Sequence, residues 1–487
     1  MYSQHIYGGT ARFQSLGGAN VSLGGDISSA LMNPAGLGFM RSSELTVSLA
    51  YGNYQSTSKY SLVYPNNPYA GSNSFDEAKG NVNFNQLGVV FNIPSETNND
   101  FYGGSFAVSY TRIADFHGHF TYEGINDTTS IVDYFTEISQ GTPTDYFEEQ
   151  GQLGITDPRA LAYYTYLINP EFSGNQNTSY YSFLPIVPTS QREEVISKGA
   201  HYEWSFAYGG NYKDMLYFGA KLGIQSLNRS LLKQYKEEIR YDLLPSNVDV
   251  PLDNLFLEED INISGYGINA SAGMIFRPID AFRVGINAVT PTSIRISEDY
   301  KATLNTQYNN FRFDSLTVLN DESASTDNVI TKYTVVSPAR LSVGTSIFIA
   351  KKGFLTADIE YVDYTNIKIR NANVDGITND NSLFKTNMTE RVNIRLGAEV
   401  RIDPVRIRAG YAHYPNPNAN TSNENARKFY SGGVGIRKDN FFADFMLQFT
   451  SKVNSQYTPY SLENAAFPTV NVQSNRARAT FTVGFIF

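Results

Sequence analysis

The chain has 487 residues, a formal net charge of -9, 34 Tyr and 32 Phe against a single Trp, and no Cys. The lack of Cys excludes disulfides, thiolate metal sites, a Cys nucleophile and acylation of an N-terminal Cys, and an acidic balance with no continuous basic stripe argues against a nucleic-acid binder. Mean hydropathy is -0.31 and no run of 18 apolar residues occurs, which argues against a helical membrane protein but leaves a β-barrel open, because lipid-facing and lumen-facing residues average to a polar composition.

The N-terminus, MYSQHIYGGT, has neither a basic n-region nor an apolar h-region, so it reads as a mature chain or as one that is not exported. Residues 17–38, GGANVSLGGDISSALMNPAGLG, are too rich in glycine for a strand or a long helix. Glycines 17, 18, 24, 25, 36 and 38 let backbone pass close to other backbone. Asn33 can bond its neighbouring main chain and Pro34 fixes φ, so Asn33-Pro34-Ala35-Gly36 makes a rigid turn. Residues 1–43 are therefore expected to form a plug, or hatch, inside a barrel built by residues 44–487. Its apolar members Leu31, Met32, Leu37 and Phe39, with Ala30, are the ligand-lining candidates. Gly25-Asp26-Ile27-Ser28 has the outline of an esterase block but no partnered His.

Period-2 alternation then runs to the last residue. The final segment places Ala477, Ala479, Phe481, Val483, Phe485 and Phe487 on one face and Arg476, Arg478, Thr480, Thr482 and Gly484 on the other. The same holds for Val392, Ile394, Leu396, Ala398 and Val400 against Arg391, Asn393, Arg395, Gly397 and Glu399. Strands are expected near 44–54, 82–94, 101–122, 201–213, 215–230, 260–277, 281–298, 335–350, 353–370, 389–402, 404–414, 428–438, 441–452 and 475–487. That makes about fourteen, an even number as bacterial single-chain barrels have, with connections that alternate between short and long. A sandwich has no reason for that alternation. The fold class expected is all-β, an antiparallel transmembrane barrel of about fourteen strands with an N-terminal hatch in its lumen.

Loop 123–200 is far longer than an ordinary hairpin connection. Asp157-Pro158 reads as an N-cap followed by Pro at the first helical position, leading into Ala160, Leu161, Tyr164 and Leu167. Ile131, Tyr134, Phe135 and Ile138 repeat at helical spacing, and Phe183 opens an apolar run. These residues either pack on each other and the rim, or form an outward apolar cup that captures greasy solutes. Phe135, Ile138, Leu161, Tyr164 and Phe183 are the capture candidates.

Arginines 391, 395, 401, 406 and 408 share the inward face of adjacent strands, with Asp358 and Glu360 inward on the strand before; Arg340 and Arg283 are similar but less clustered. They either hold plug to wall, or Arg395 or Arg408 receives a ligand carboxylate through its planar fork. His117 and His119 share one face of a strand, but no third metal ligand is evident. No catalytic group, cofactor or metal is expected, and the chain is read as a non-enzyme.

Taken in order, Ser15 to Ala19 (SLGGA), Asn33 to Gly36 (NPAG), a long helical outer loop after the third strand, Pro338 to Gly344 with Asp358 to Tyr361, and Arg395 to Glu399 with Arg408 to Tyr411 resemble the FadL-type family of outer-membrane transporters for long-chain fatty acids and aromatic hydrocarbons. The resemblance implies an outer-membrane barrel plugged by the hatch, and a kink in the third strand through which ligand leaves sideways into the membrane. Gly103-Gly104 is the expected kink, since Gly inside a strand often marks a bulge. An apolar lumen followed by a lateral gap would keep an acyl tail desolvated, at about 0.8 kcal/mol per CH₂. The partners implied are a hydrophobic small molecule and outer-membrane lipid. The alternative reading is a PorV-like barrel, which binds or delivers a protein cargo in a secretion system through its outer loops.

Overall fold

The computed structural model describes residues 8–62, 74–95, 100–172, 174, 177–245, 248–371, 377–419 and 425–487. Among these, fourteen antiparallel strands close into one barrel. They are β1 (Glu44–Leu62), β2 (Ser74–Pro94), β3 (Phe101–Asp115, continued by Gly118–Asn126), β4 (Thr189–Tyr212), β5 (Leu216–Ile239), β6 (Leu252–Ile279), β7 (Phe282–Val289 and Ser293–Arg312), β8 (Val329–Val336 and Arg340–Ile349), β9 (Gly353–Asp363), β10 (Glu390–Ile402), β11 (Val405–Tyr414), β12 (Arg427–Lys438), β13 (Phe441–Thr450) and β14 (Pro468–Ile486). Closure is made by β14 on β1, from Glu44↔Ile486 to Leu62↔Pro468.

The outward set is apolar and exposed: Leu45, Val47, Leu49 and Tyr51 on β1, Val392, Ile394, Leu396 and Val400 on β10, and Phe481 and Phe485 on β14. Such a belt around a closed barrel is a lipid-facing surface. The inward set differs from the apolar lumen expected above. It is mainly polar and buried, with Ser48, Asn85, Ser109, Glu203, Lys221, Asp358, Arg395, Glu399 and Thr482. The reason is what fills it. Residues 8–43 run through the lumen with little regular structure, and their free main-chain groups need polar partners in the wall.

Several strands reach beyond their predicted ends. β4 begins at Thr189, β6 at Leu252 and β14 at Pro468. These extensions rise above the lipid belt and carry the cap. Helices α3 (Ile131–Ser139), α4 (Thr144–Leu153) and α5 (Pro158–Tyr164) lie over them; the lumenal segment contains the shorter α1 (Ala11–Ser15) and α2 (Ser29–Met32), and α6 (Ile377–Asn387) belongs to a later loop. The cap has its own core, in which Ile131, Phe135, Phe147 and Leu161 meet Leu255, Leu304 and Leu319 of the extended wall.

Candidate functional site

The lumenal segment is fixed by its own turns and by the wall. Asn33 is fully buried. Its Oδ1 accepts from the Ala35 N–H at 3.1 Å, and its Nδ2 donates to the carbonyls of Val21 at 2.6 Å and Ile286 at 3.3 Å. Pro34 starts the 3₁₀ turn Pro34–Phe39, Ala35 packs on Tyr217 and Ile275, and the Gly36 carbonyl accepts from Gly25 N–H at 3.1 Å. Gly17 shows why side chains are excluded here. It has φ +65°, and a Cβ would stand 2.6 Å from the Tyr411 carbonyl oxygen. Asp26 accepts from the Thr10 hydroxyl at 3.0 Å and from the Ser28 N–H at 2.8 Å, so it serves the segment's own fold.

The apolar candidates on this element part company. Leu37 joins Ile27, Ala30 and Met40 against Val90, Ala107 and Ala207 of β2, β3 and β4. Phe39 stacks on Tyr217 with centroids 3.7 Å apart and lies under the Arg283 guanidinium at 3.9 Å, anchoring the segment near the short turn between β4 and β5. Leu31 and Met32 are buried on α2.

The wall is interrupted along one seam. β2 and β3 pair from Pro94↔Gly103 to Gln86↔Thr111 and no further. Both strands are irregular at that level. β2 has a bulge at Asn85, seen as the register shift between Ser48↔Gln86 and Leu49↔Phe84, and β3 shifts between Arg112 and Ala114. Two bulges at one height bend two neighbouring strands apart. After Asp115 the distal part of β3, Gly118–Asn126, pairs with β4 only. Toward β1 and β2 it is met by side chains instead: Ser56 Oγ donates to the His119 carbonyl at 2.5 Å, Ser58 Oγ to that of Thr121, and Thr121 Oγ1 to Glu77 at 3.2 Å. Gly103 and Gly104 do not lie at this interruption. The bulge expected there does exist, as the β3–β4 register shift between Phe101 and Gly104, but Gly103, with φ +99°, stands at the last β2 pair on the opposite end, and Gly104 is paired to both neighbours.

Outside the seam, Tyr110 stacks on Tyr202 at 4.6 Å and meets Trp204 at 4.8 Å and Phe84 at 6.3 Å. The Tyr202 hydroxyl reaches over β3 to donate to the Phe84 carbonyl at 3.0 Å. That carbonyl belongs to the stretch where β2 has lost its β3 partner. A freed main-chain oxygen at the lipid boundary is thereby satisfied.

No protein-family description matches the chain, and no curated protein matches it. Among solved structures, a Pseudomonas aeruginosa FadL homologue superposes with a TM-score of 0.56 at 13% identity, covering 99% of both chains. The chain has the FadL-type fold. The P. putida toluene transporter TodX gives a TM-score of 0.51 at 12% identity, again with 99% of both chains covered.

In this FadL-type barrel the five capture candidates form interior rather than cup. Phe135 and Leu161 are core residues of the cap, and Ile138, Tyr164 and Phe183 pack against them. Phe183 stacks on Phe311 with centroids 4.9 Å apart. A narrow apolar cleft does open at the cap's edge, lined by Val132, Leu184, Ile186, Ile239, Val250 and Leu252, with a volume of about 40 Å³. Ordinary ligand pockets hold roughly 300 Å³ or more, so it fits a chain end and not a whole molecule. The cap helices are set by their N-caps. Ser130 and Asp133 form a capping box on α3; burial raises the Asp133 pKa against the Ser130 N–H that lowers it. On α5, Asp157 accepts from the Arg159 N–H at 2.9 Å and meets its guanidinium at 2.6 Å. Burial opposes the Asp157 carboxylate, yet the Arg159 contacts prevail and hold its pKa below the ordinary value.

Most of the charged wall pairs within itself, although the guanidinium nitrogens of Arg395, like those of Arg112, lack a hydrogen-bond partner. Arg408 lies 2.7 Å from Glu399 and 2.5 Å from Asp444, and Glu399 also receives Arg401 at 2.7 Å. Arg395 is fully buried, 3.6 Å from Glu360 and opposite Asp358 across the β9–β10 ladder. Asp358 in turn accepts the N–H groups of Asn20 at 2.7 Å and Val21 at 2.9 Å. Neither arginine faces open space. His117 and His119 contact Asp115 and Glu194, each at 2.8 Å, and among the described residues no group of three metal-ligating side chains occurs. The residues that shape the seam, Asn85, Gln86, Arg112 and Ile113, carry no local sequence signal, because a bulge exists only relative to a partner strand.

Proposed function

We propose that this barrel conducts hydrophobic molecules passively across the outer membrane of a Gram-negative-type envelope and releases them sideways through the β2–β3 seam. The observation that carries the reading is the loss of main-chain pairing beyond Gln86↔Thr111 in an otherwise closed wall. An axial path would take a greasy solute past Asp358, Arg395, Glu399 and Arg408, whereas the seam opens directly onto the lipid belt. Shedding water only once favours the second route by about 0.8 kcal/mol for each CH₂ kept dry. Entry is at the cap, where the cleft along Val132 and Leu184 accepts a chain end. Long-chain fatty acids and aromatic hydrocarbons are the substrate classes to try first, and Asn33 to Gly36 act by holding the hatch in shape. The barrel acts as a conduit and not as an enzyme.

The chain has no Cys, so Cys placed at Glu77 and Thr121, whose long side chains meet at 3.2 Å, can be bridged across the seam by a short bis-methanethiosulfonate reagent that spans more than a direct disulfide does. Uptake is expected to fall to background when E77C/T121C is bridged and to return on reduction. Undiminished uptake by the bridged protein would rule out sideways exit here. A second reading, docking of a protein cargo on the outer loops, draws on the exposed Leu153, Phe172, Ile186 and Leu316 of the cap and loops. A stoichiometric co-purifying protein, with no uptake of any lipophile, would favour it.

A further inference from the structure

The proposed exit is not electrically neutral. Arg112 of β3 and Arg476 and Arg478 of β14 lie within electrostatic reach of one another at the foot of the seam, and Arg427 of β12 lies within reach of Arg476. Among the described residues one carboxylate, Asp115, is set between them: 2.6 Å from Arg112, 3.4 Å from Arg476 and 3.7 Å from Arg478. It also takes His117 at 2.8 Å. The next carboxylates along the strands, Glu203, Glu77 and Glu194, are engaged by Lys221, Thr121 and His119. Four guanidinium groups against one carboxylate leave three positive charges in excess.

The place of the cluster is as informative as its charge. Arg478 stands opposite Gly52 and Arg476 opposite Tyr54 on β1. They are one and two inward steps above Thr480, whose hydroxyl donates to Gln14 of the lumenal segment at 2.7 Å. The cluster therefore sits on top of the plug. Arg112 is the first residue past the last β2–β3 pair, and it pairs with Tyr202, a member of the outward set of β4. It is nevertheless 2% exposed, and its Nε, Nη1 and Nη2 have no hydrogen-bond partner, the Asp115 contact being close but poorly aligned. Arg427, on the inward register of β12, keeps solvent access. Buried guanidinium donors left unmatched beside like charges are costly unless an anion completes them.

We propose that Arg112, Arg427, Arg476 and Arg478 form a binding site for the dianionic head group of an amphiphile, a phosphate monoester on an alkyl tail, with the tail lying outward through the seam. Three excess charges suit a dianion better than a monoanionic carboxylate, and planar guanidinium forks match phosphate oxygens in pairs. The tail would pass the rim of Phe84, Tyr110, Tyr202 and Trp204, a ring of aromatics at the level where such side chains line a bilayer interface. This deepens the uptake reading and rests on it.

The test is calorimetric binding of dodecyl phosphate, dodecanoate, dodecanol and inorganic phosphate to the purified full chain in a neutral detergent. The wild type is compared with R476Q/R478Q and R476K/R478K, each confirmed folded by its heat-modifiable gel mobility. Dodecyl phosphate is expected to bind about tenfold more tightly than dodecanoate or dodecanol, a 1.4 kcal/mol preference. R476Q/R478Q should abolish the preference and R476K/R478K should keep most of it. Equal binding of dodecanol and dodecyl phosphate would overturn the head-group site while leaving hydrophobic uptake standing. Inorganic phosphate binding as tightly as dodecyl phosphate would overturn the amphiphile assignment in favour of a free-oxyanion site. If inorganic phosphate bound and no dodecyl compound did, the uptake reading would fall with it.

Discussion

Toward β8 to β14 the lumenal segment is held by directional polar bonds, whereas toward β2, β3 and β4 its middle rests on small apolar side chains. On the first side Asp358 takes two main-chain N–H groups, Thr482 accepts from Ala11 N–H at 2.8 Å, Ser22 meets Ser346 at 2.7 Å, and Ser431 donates to the Ser15 carbonyl at 3.2 Å. On the second, Ile27, Ala30 and Leu37 touch Val90, Ala107 and Ala207, with polar bonds only at the ends, from Asn85 to the Gly9 carbonyl at 2.5 Å and from Asn92 to that of Met40 at 2.8 Å. Polar bonds in a dry interior fail abruptly when displaced, leaving orphaned groups at about 1–3 kcal/mol each. Apolar surfaces slide with no such penalty. Any movement of the segment's middle, residues 27–40, is thus hinged on the polar side, while its first residues stay tied to the two bulges of the seam, Gly8 N–H donating to the Arg112 carbonyl at 2.7 Å and Asn85 to that of Gly9.

The largest break of this asymmetry is Asp358→Ala. It strips Asn20 and Val21 of their acceptor and leaves Arg395 with Glu360 alone at 3.6 Å. Removing one partner of such a buried charged set costs about 3–5 kcal/mol. Hydrogen exchange of residues 17–25 should rise sharply while the barrel strands stay protected. Unchanged exchange there would mean that the polar side is not the anchor. Leu37→Ala is the counterpart on the apolar side, worth about 2–3 kcal/mol as a large-to-small core change. It should loosen residues 27–40 and leave 17–25 protected. If both variants loosen the whole segment equally, the two sides are not distinct.

Much of this architecture was legible because lipid and lumen impose opposite chemistries on alternate residues. Arg476 to Phe487 and Arg391 to Val400 each divide into two faces by alternation alone, and both are strands with those faces turned to lipid and lumen. Legibility ends where that contrast ends. Residues 189–200 are strand, yet Arg192, Glu193, Glu194 and Lys198 put charge on both faces, since above the bilayer neither face meets lipid. The segment 353–370 reads as one strand but breaks at Tyr364–Asn366, where Asp363 accepts from the Thr365 N–H at 3.0 Å and turns the chain.

The site was less legible for a different reason. Asn33 as a shape-holding residue follows from local chemistry, and so does the α5 cap at Asp157-Pro158. The seam does not, because it depends on where β2 and β3 bulge relative to each other: Gly103-Gly104 does mark an irregularity, the shift of β3 against β4 between Phe101 and Gly104, but pairing with β2 is lost at the second shift, at Arg112 and Ile113. The cap residues mark a further limit. Helical spacing of Phe135 and Ile138 shows that one face is buried, but not whether by ligand or by neighbours.

A smaller change sharpens the seam itself. Tyr202→Phe removes one hydroxyl, the donor to the Phe84 carbonyl, and a single neutral hydrogen bond is worth about 1 kcal/mol. Exchange should rise modestly around Phe84 and Asn85 and nowhere in the lumenal segment, with uptake through the seam kept or raised.

The smallest effect concerns neither side of the segment and so serves as a control on both. Asp157 caps α5, and its folded pKa is lowered by Arg159 despite burial. A carboxyl whose folded pKa lies below its unfolded value contributes stability that is full above the unfolded value, near 3.9, and is lost as pH falls through the folded value. Acidification below about pH 4 should therefore fray residues 158–164 in the wild type. Asp157→Asn keeps a capping oxygen but gives up the ion pair at 2.6 Å; it should be weaker by about 1 kcal/mol or less at neutral pH and lose that pH dependence. Exchange of residues 17–40 should not follow the cap in either case. If it does, cap and plug move as one body, and capture at the rim is coupled to the exit seam through the extended strands rather than independent of it.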